Sequence, residues 1–168
     1  MELQEAKQHF IQSWGVFGSS WGINRTMAQI HALLLIAPKP LNADDIMEAL
    51  QISRGNTNMN VRDLMNWNIV DKVLIPGDRK EYFVAEKDIW KVAMRIMKER
   101  KKRELDPIIQ TMEQIKNIEG DKKDAETKAF IDMANQIQKF AKQADSALAG
   151  LIKADENWFT GTLLKMFK

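Results

Sequence analysis

The side chains best suited to recognition chemistry in this 168-residue chain lie in one short stretch, from Ser53 to Trp67. The stretch is rich in Asn and contains two Arg. Asn can pair with N6 and N7 of adenine, and Arg with O6 and N7 of guanine, so both residue types can read base edges in DNA. The simpler interpretation is a polar helix face in water, but helix propensity disfavours so many Asn in one helix. We therefore predict a segment that contacts DNA.

The spacing of the apolar residues predicts how this segment is oriented. Thr57, Val61 and Leu64 are four and three residues apart, so they form one buried stripe of a helix that begins at Ser53 and ends near Trp67. At about 100° per residue, the opposite side of that helix faces outward. The residues of this helix that we predict to contact DNA are Ser53, Arg54, Gly55, Asn56, Asn58, Met59 and Arg62.

A hairpin follows the Asn-rich helix. Residues 69–75 are rich in β-branched side chains, and residues 81–84 are a natural partner strand. The loop between them contains Pro76 and Gly77 and ends with Arg79 and Lys80. We predict a two-stranded wing whose two cations reach a phosphate or the minor groove. An ordinary charged hairpin is the alternative.

Helix signals surround this segment. Residues 2–17 form a plausible first helix, which we expect to stop in the glycine-rich stretch 15–22. Asn24 and Asn42 are suitable N-caps for the second and third helices. Asp88 can cap a long fifth helix, in which Asp106 and Pro107 predict a kink or a new start.

The last helix carries the most regular apolar pattern in the chain. Its apolar residues are spaced alternately three and four apart, which is the heptad pattern of a coiled-coil seam. We call this set the heptad seam: Phe130, Met133, Ile137, Phe140, Ala144, Ala147 and Leu151. The seam needs a partner, which is either the preceding helix or the same helix of a second chain.

Other kinds of site have weak signals or none. His9 and His31 lack a companion ligand at metal-binding spacing, and the chain has no Cys, so we predict no metal site and no cofactor. No phosphate loop, nucleophile elbow or paired carboxylates indicate catalysis. Aromatic residues could cage a cationic effector, although core packing is the favoured interpretation. The candidates for such a pocket are Trp14, Phe17, Trp21 and Trp90.

Charge is distributed unevenly along the chain. Residues 21–103 contain 15 Lys and Arg against 10 Asp and Glu, although the net charge of the whole chain is only +2. A basic middle flanked by less basic arms suits a polyanion-binding domain between segments with another role. The longest apolar stretch, residues 32–37, is far shorter than the ~20 residues that span a bilayer. We therefore expect a cytoplasmic protein without a membrane partner.

From residues 22 to 107 the chain resembles the GbsR-like branch of the MarR-type transcriptional regulators. The residues that carry the resemblance are SRGNTNMNVRDLMNWNIV (53–70), GDRKEYFVAEKDIW (77–90) and the basic run KERKKRELDP. The resemblance implies a homodimer joined by its terminal helices, and the best-known members respond to choline. A larger aliphatic residue is usual in the family at the position of Thr57, and Gly is common at the position of Asn68.

Together these features predict a mainly α fold, a winged helix-turn-helix with a two-stranded wing and long terminal dimerisation helices. We divide it into an N-terminal dimerisation helix (1–22), a DNA-binding domain (23–87) and a C-terminal dimerisation region (88–168). The predicted function is sequence-specific binding of double-stranded DNA by a homodimeric repressor, modulated by a small effector such as a quaternary ammonium compound. The alternative is a protein-interaction module that uses the heptad helix. The sequence does not indicate the target genes or the effector.

Overall fold

The computed structural model describes residues 1–115 and 124–166, with side chains described up to residue 154. This part of the chain forms two compact units, Met1–Arg95 and Ile96–Lys168. None of its helices combines the length and the apolar character that a membrane crossing requires. The elements are, in chain order, α1 (Leu3–Ser20), α2 (Arg25–Ile36), β1 (Leu41–Asn42), α3 (Ala43–Leu50), α4 (Arg54–Asn66), β2 (Val70–Leu74), β3 (Glu81–Ala85), α5 (Ile89–Arg100), a π-helical turn (Lys101–Leu105), α6 (Asp106–Ile115) and α7 (Ala125–Met166).

Helix α1 continues past Gly15 and Gly18 and ends at Ser20, inside the glycine-rich stretch where we expected it to stop but three residues beyond the predicted Phe17. The reason is tertiary packing against α2. A Cβ atom added to Gly18 would lie 2.5 Å from Cβ of Ala28, and one added to Gly15 would lie 2.7 Å from Cγ of Gln29. The missing side chains therefore allow the two helices to approach closely, and the burial gained outweighs the weak helix propensity of Gly.

The rest of the first unit is a helix-turn-helix packed on a small sheet. Its largest fully buried apolar side chains come from α2, α3, α4 and β2, and they are Ile30, Leu34, Ile46, Val61, Leu64 and Val70. Strand β3 pairs antiparallel with β2 and also with β1, in the order β1-β3-β2. The short β1 thus adds a third strand to the predicted two-stranded wing. The predicted winged helix-turn-helix fold is confirmed.

Residues 101–115 show why the chain changes conformation near Pro107. The N–H of Asp106 donates to the carbonyl oxygen of Lys101, five residues earlier, which is π-helical geometry. Pro107 has no N–H and its ring crowds the carbonyl four residues before it, so the α-helical pattern cannot continue unchanged. The predicted kink or new start at Asp106 is confirmed as a π-helical turn followed by α6.

Helix α7 has two distinct faces. One face carries the buried residues Ala134, Gln138 and Ala141, and the helix packs against α6 and the π-helical turn. On that side the Nζ atom of Lys101 lies 2.7 Å from a carboxylate oxygen of Asp145. The heptad seam lies on the neighbouring face, where Phe140 is 71% exposed. The preceding helix therefore folds back on α7 without covering the seam.

Candidate nucleic-acid interface

The Asn-rich helix has the predicted bounds and register. Its N-cap is Ser53, whose hydroxyl oxygen accepts a hydrogen bond from the N–H of Asn56 at 3.3 Å. Along α4 the predicted stripe of Thr57, Val61 and Leu64 is buried. The face that we expected to turn outward, with Gly55, Asn58, Met59 and Arg62, is exposed. Local spacing alone was therefore sufficient to predict which side of the helix is free.

The pairing between Asn60 and Asn56 was not predicted. Asn60 is buried, and its Nδ2 atom donates to the carbonyl oxygen of Asn56 at 2.8 Å and to the Oδ1 atom of Asn56 at 2.6 Å. The side-chain oxygen of Asn56 is therefore engaged within the helix. The spacing of four residues between two Asn is a signal that could have indicated this hydrogen bond.

Three predicted contact residues line one cleft between α4 and the wing. Arg54 and Asn58 from α4 and Lys80 from the wing surround a cleft of about 210 Å³. Arg62 follows Asn58 by four residues, so Arg54, Asn58 and Arg62 form one row along the helix. We call this row the α4 stripe. Donors from the helix and from the wing thus form one continuous surface.

Asp44, in the first turn of α3, lies in the same cleft and was not predicted as a site residue. Its carboxylate forms ion pairs with Arg54 and with Lys80, the second at 3.1 Å. The hydrogen bond from Lys80 and the charge of Arg54 hold the pKa of Asp44 below its ordinary value, and the same contact raises the pKa of Lys80. In the sequence Asp44 stands two residues after the predicted N-cap Asn42, which indicates only a negative charge in the first turn of a helix. Ion pairs between distant residues leave no local pattern.

The wing tip, residues 77–80, is shaped by Asp78. The carboxylate of Asp78 accepts hydrogen bonds from the N–H of Lys80 at 2.9 Å and from the hydroxyl of Tyr82 at 2.7 Å. These bonds hold the pKa of Asp78 below its ordinary value. Gly77 has a φ of +87°, a conformation that favours glycine. The backbone around Arg79 is therefore fixed on both sides.

The cations of this surface fall into two groups. Arg54 and Lys80 are paired with Asp44, whereas Arg62 and Arg79 are exposed and form no ion pair in the part of the chain that the structure describes. Unpaired cations can approach a phosphate or a base without first breaking a protein contact. This difference was not visible in the sequence.

Comparison with known proteins agrees with this geometry. Residues 21–81 match the model of the MarR family. The HTH-type transcriptional repressor GbsR of Bacillus subtilis (strain 168) is 29% identical over 89 residues, which are 53% of this chain and 49% of that relative. The HTH-type transcriptional repressor OpcR of the same organism is 24% identical over 88 residues, covering 52% and 48%. The chain thus spans about half the length of these curated relatives.

The helix-turn-helix of this chain is thus similar to that of the MarR family. The resemblance to the GbsR-like regulators is confirmed, and the relatives are HTH-type transcriptional regulators, so the alternative of a protein-interaction module is not favoured. A crystal structure described as a transcriptional regulator is 13% identical and has a TM-score of 0.70, covering 90% of this chain and 99% of that one. At this identity the likeness shows the fold.

The two departures from the usual MarR-type pattern are compatible with the backbone of this segment. Asn68 follows α4 with a φ of +57°, a left-handed conformation that Asn adopts more readily than most residues with a side chain. Thr57 is fully buried, and its hydroxyl donates to the carbonyl oxygen of Ser53 at 3.1 Å. Neither residue disturbs the helix-turn-helix.

The four aromatic residues proposed for an effector pocket lie in different environments. Trp14 is half-buried, with its ring centroid 5.4 Å from that of Phe10 and 6.3 Å from that of His31. Phe17, Trp21 and Trp90 are each more than half exposed in the single chain. The pocket remains a prediction. Among the described residues no cluster of His, Cys, Asp or Glu could hold a metal ion.

Proposed function

We propose that this protein is a homodimeric, DNA-binding transcriptional repressor. The observation that carries the proposal is the cleft that Arg54 and Asn58 of the α4 stripe share with Lys80 of the wing. Helix α4 is buried along one side and exposes Asn58, Met59 and Arg62 on the other, which is what a helix in a major groove requires. GbsR and OpcR are named as repressors, which supports the same role here.

The contacts divide into those that position the protein and those that select a sequence. Asn58 and Arg62 have the groups that pair with adenine and guanine, each good pair contributing roughly 1–3 kcal/mol of discrimination. Met59 is exposed between them and suits a thymine methyl group. Arg54 and Lys80 hold partly exposed cations beside the helix N-terminus and suit phosphates. Arg79 at the wing tip suits the minor groove or a phosphate.

The partner of the heptad seam is, in this proposal, a second copy of the chain. The seam is exposed in the single chain, and its heptad spacing matches the packing of paired helices. The MarR-type resemblance implies the same assembly. A dimer would present two α4 helices to half-sites about 34–36 Å apart on a near-palindromic operator.

Regulation would follow from the spacing of the two α4 helices. An effector that binds better to a dimer of different spacing would shift the population away from the DNA-binding form. A quaternary ammonium compound is the candidate, with Trp14, Phe17, Trp21 and Trp90 as the aromatic residues that would meet its charge. We place the protein in the cytoplasm, where its DNA would be found.

The DNA-binding proposal is tested by a gel-shift titration with the region upstream of the protein's own coding sequence. Arg62→Ala should weaken binding about 10-fold or more, because a bidentate contact to a base is lost. Arg25→Ala, on exposed α2 surface, removes the same charge away from α4 and is the matched control. Wild-type affinity should also fall steeply with added salt, since phosphate contacts release counterions. Unchanged binding by Arg62→Ala, or a flat salt dependence, would refute the proposal.

The dimer is tested by light scattering of purified variants. Phe140→Glu places a charge in the heptad seam and should convert the dimer to monomers, with weaker operator binding as a consequence. Asn135→Glu adds the same charge to exposed surface of α7 outside the seam and should remain dimeric. A Phe140→Glu protein that stays dimeric would exclude the seam as the interface.

A further inference from the structure

One carboxylate joins three separate elements of the interface. Asp44 belongs to the first turn of α3, Arg54 is the first residue of α4, and Lys80 lies in the wing. The contact from Lys80 to Asp44 connects residues 36 positions apart in the sequence, at 3.1 Å. The wing is thereby held to the helix-turn-helix at the place where both reach the exposed surface.

The backbone that carries Asp44 is itself fixed. The Oδ1 atom of Asn42 accepts hydrogen bonds from the N–H of Asp44 at 2.8 Å and of Asp45 at 3.1 Å. The carboxylate of Asp45 accepts the N–H of Asn42 at 2.9 Å, which completes a capping box. The N-terminus of α3 also favours a negative charge. Asp44 therefore holds the two cations from a rigid position.

The two cations keep donors for a further partner. Arginine has five N–H donors and lysine has three. About half or more of each side chain is exposed, 63% for Arg54 and 54% for Lys80. A phosphate could thus bind both cations while Asp44 still holds them from behind.

We propose that Asp44 is a positioning residue that holds Arg54 and Lys80 together in the arrangement that binds a DNA phosphate. The inference rests on the proposed DNA-binding function and deepens it. Before DNA arrives, the two ion pairs fix the wing relative to α4, so the complex loses less conformational freedom when it forms.

Charge repulsion and positioning predict opposite effects of removing the Asp44 carboxylate, which gives the proposal a clear test. A negative charge beside DNA repels phosphates, so charge alone predicts that removing Asp44 strengthens binding. Positioning predicts that removing it weakens binding. Glu48→Gln, on the exposed side of the same helix, makes an equal change in charge without touching either cation and measures the charge effect by itself.

The experiment is a gel-shift titration of wild type, Asp44→Asn, Asp44→Glu and Glu48→Gln. We expect Asp44→Asn to bind about threefold to tenfold more weakly than wild type, since each exposed ion pair contributes modestly. Asp44→Glu should recover most of that loss because it retains a carboxylate, and Glu48→Gln should bind as wild type or more tightly. Hydrogen exchange without DNA should show faster exchange of the amides of residues 77–81 in Asp44→Asn alone.

Two results would overturn the inference. The first is an Asp44→Asn protein that binds DNA as tightly as Glu48→Gln. The second is unchanged hydrogen exchange in the wing of Asp44→Asn, which needs no DNA and so remains informative even if the proposed function fails. Failure of the function itself would appear differently, as wild-type protein that does not bind the operator or an Arg62→Ala variant that binds normally.

Discussion

The buried histidine of α2 should make the stability of the first unit depend on pH. His31 is 3% exposed, and its Nε2 atom has no hydrogen-bond partner among the described residues. Burial is the main cause that lowers the pKa of His31 from 6.5 to about 4, and the positive charge of Lys87 adds to it. That lysine is held nearby by hydrogen bonds to the carbonyl oxygens of Leu34, Leu35 and Ala37.

The sign of the effect follows from which state binds more protons. In the unfolded chain His31 is protonated below about pH 6.5, whereas in the folded chain it is protonated only below about pH 4. Between these two pH values the unfolded state holds one proton more than the folded state. The free energy of unfolding is therefore highest above pH 6.5 and decreases as the pH falls toward 4. Each pH unit in that window lowers it by about 1.4 kcal/mol, so the loss at pH 5 is about 2 kcal/mol.

Urea unfolding at pH 7 and pH 5, at one protein concentration, measures this loss. The control is His9→Leu, because the His9 side chain is exposed on α1. Between the two pH values, the free energy of unfolding of wild type and of His9→Leu should fall by about 2 kcal/mol more than that of His31→Leu. Comparing each protein with itself removes the change in packing caused by the substitution. The pKa values of Asp44, Asp78 and Asp124 are lowered from their ordinary 3.8, so these carboxylates change protonation at pH values below this window. If His31→Leu loses as much as wild type, the reasoning is refuted.

Two glycines give predictions of opposite sign. Gly55→Ala should raise the free energy of unfolding by up to about 1 kcal/mol, because alanine favours the helix and its Cβ would meet nothing within 4 Å. The same substitution should weaken operator binding, because it places a methyl group toward DNA. Thermal melting and a gel shift on the same sample check both parts, and equal or tighter binding would contradict a close approach of Gly55 to DNA. Gly18→Ala should lower the free energy of unfolding by about 1–3 kcal/mol, because the new Cβ would lie 2.5 Å from that of Ala28. Urea unfolding measures the loss, and an unchanged midpoint would contradict the close contact of α1 with α2.

Much of the helix-turn-helix unit could be predicted because its information is local. A helix repeats every 3.6 residues, so the spacing of Thr57, Val61 and Leu64 was sufficient to orient α4. Caps act within three residues, and Asn24 and Asn42 serve as expected. The wing followed from β-branched strands around a turn that contains Pro76 and Gly77. These signals are short in sequence and need no knowledge of distant contacts.

What only the tertiary structure decided involves residues that are distant in sequence. Gly15 and Gly18 discourage a helix by propensity, yet α1 is continuous because α2 packs against them. Asp44 had a local role as a helix-end charge, whereas its pairing with Lys80 arises only when the wing folds back beside α3. The sequence by itself determined which side chains of α4 face outward. The fold decided which cations beside them are already paired, because ion pairing depends on distance in space and not along the chain.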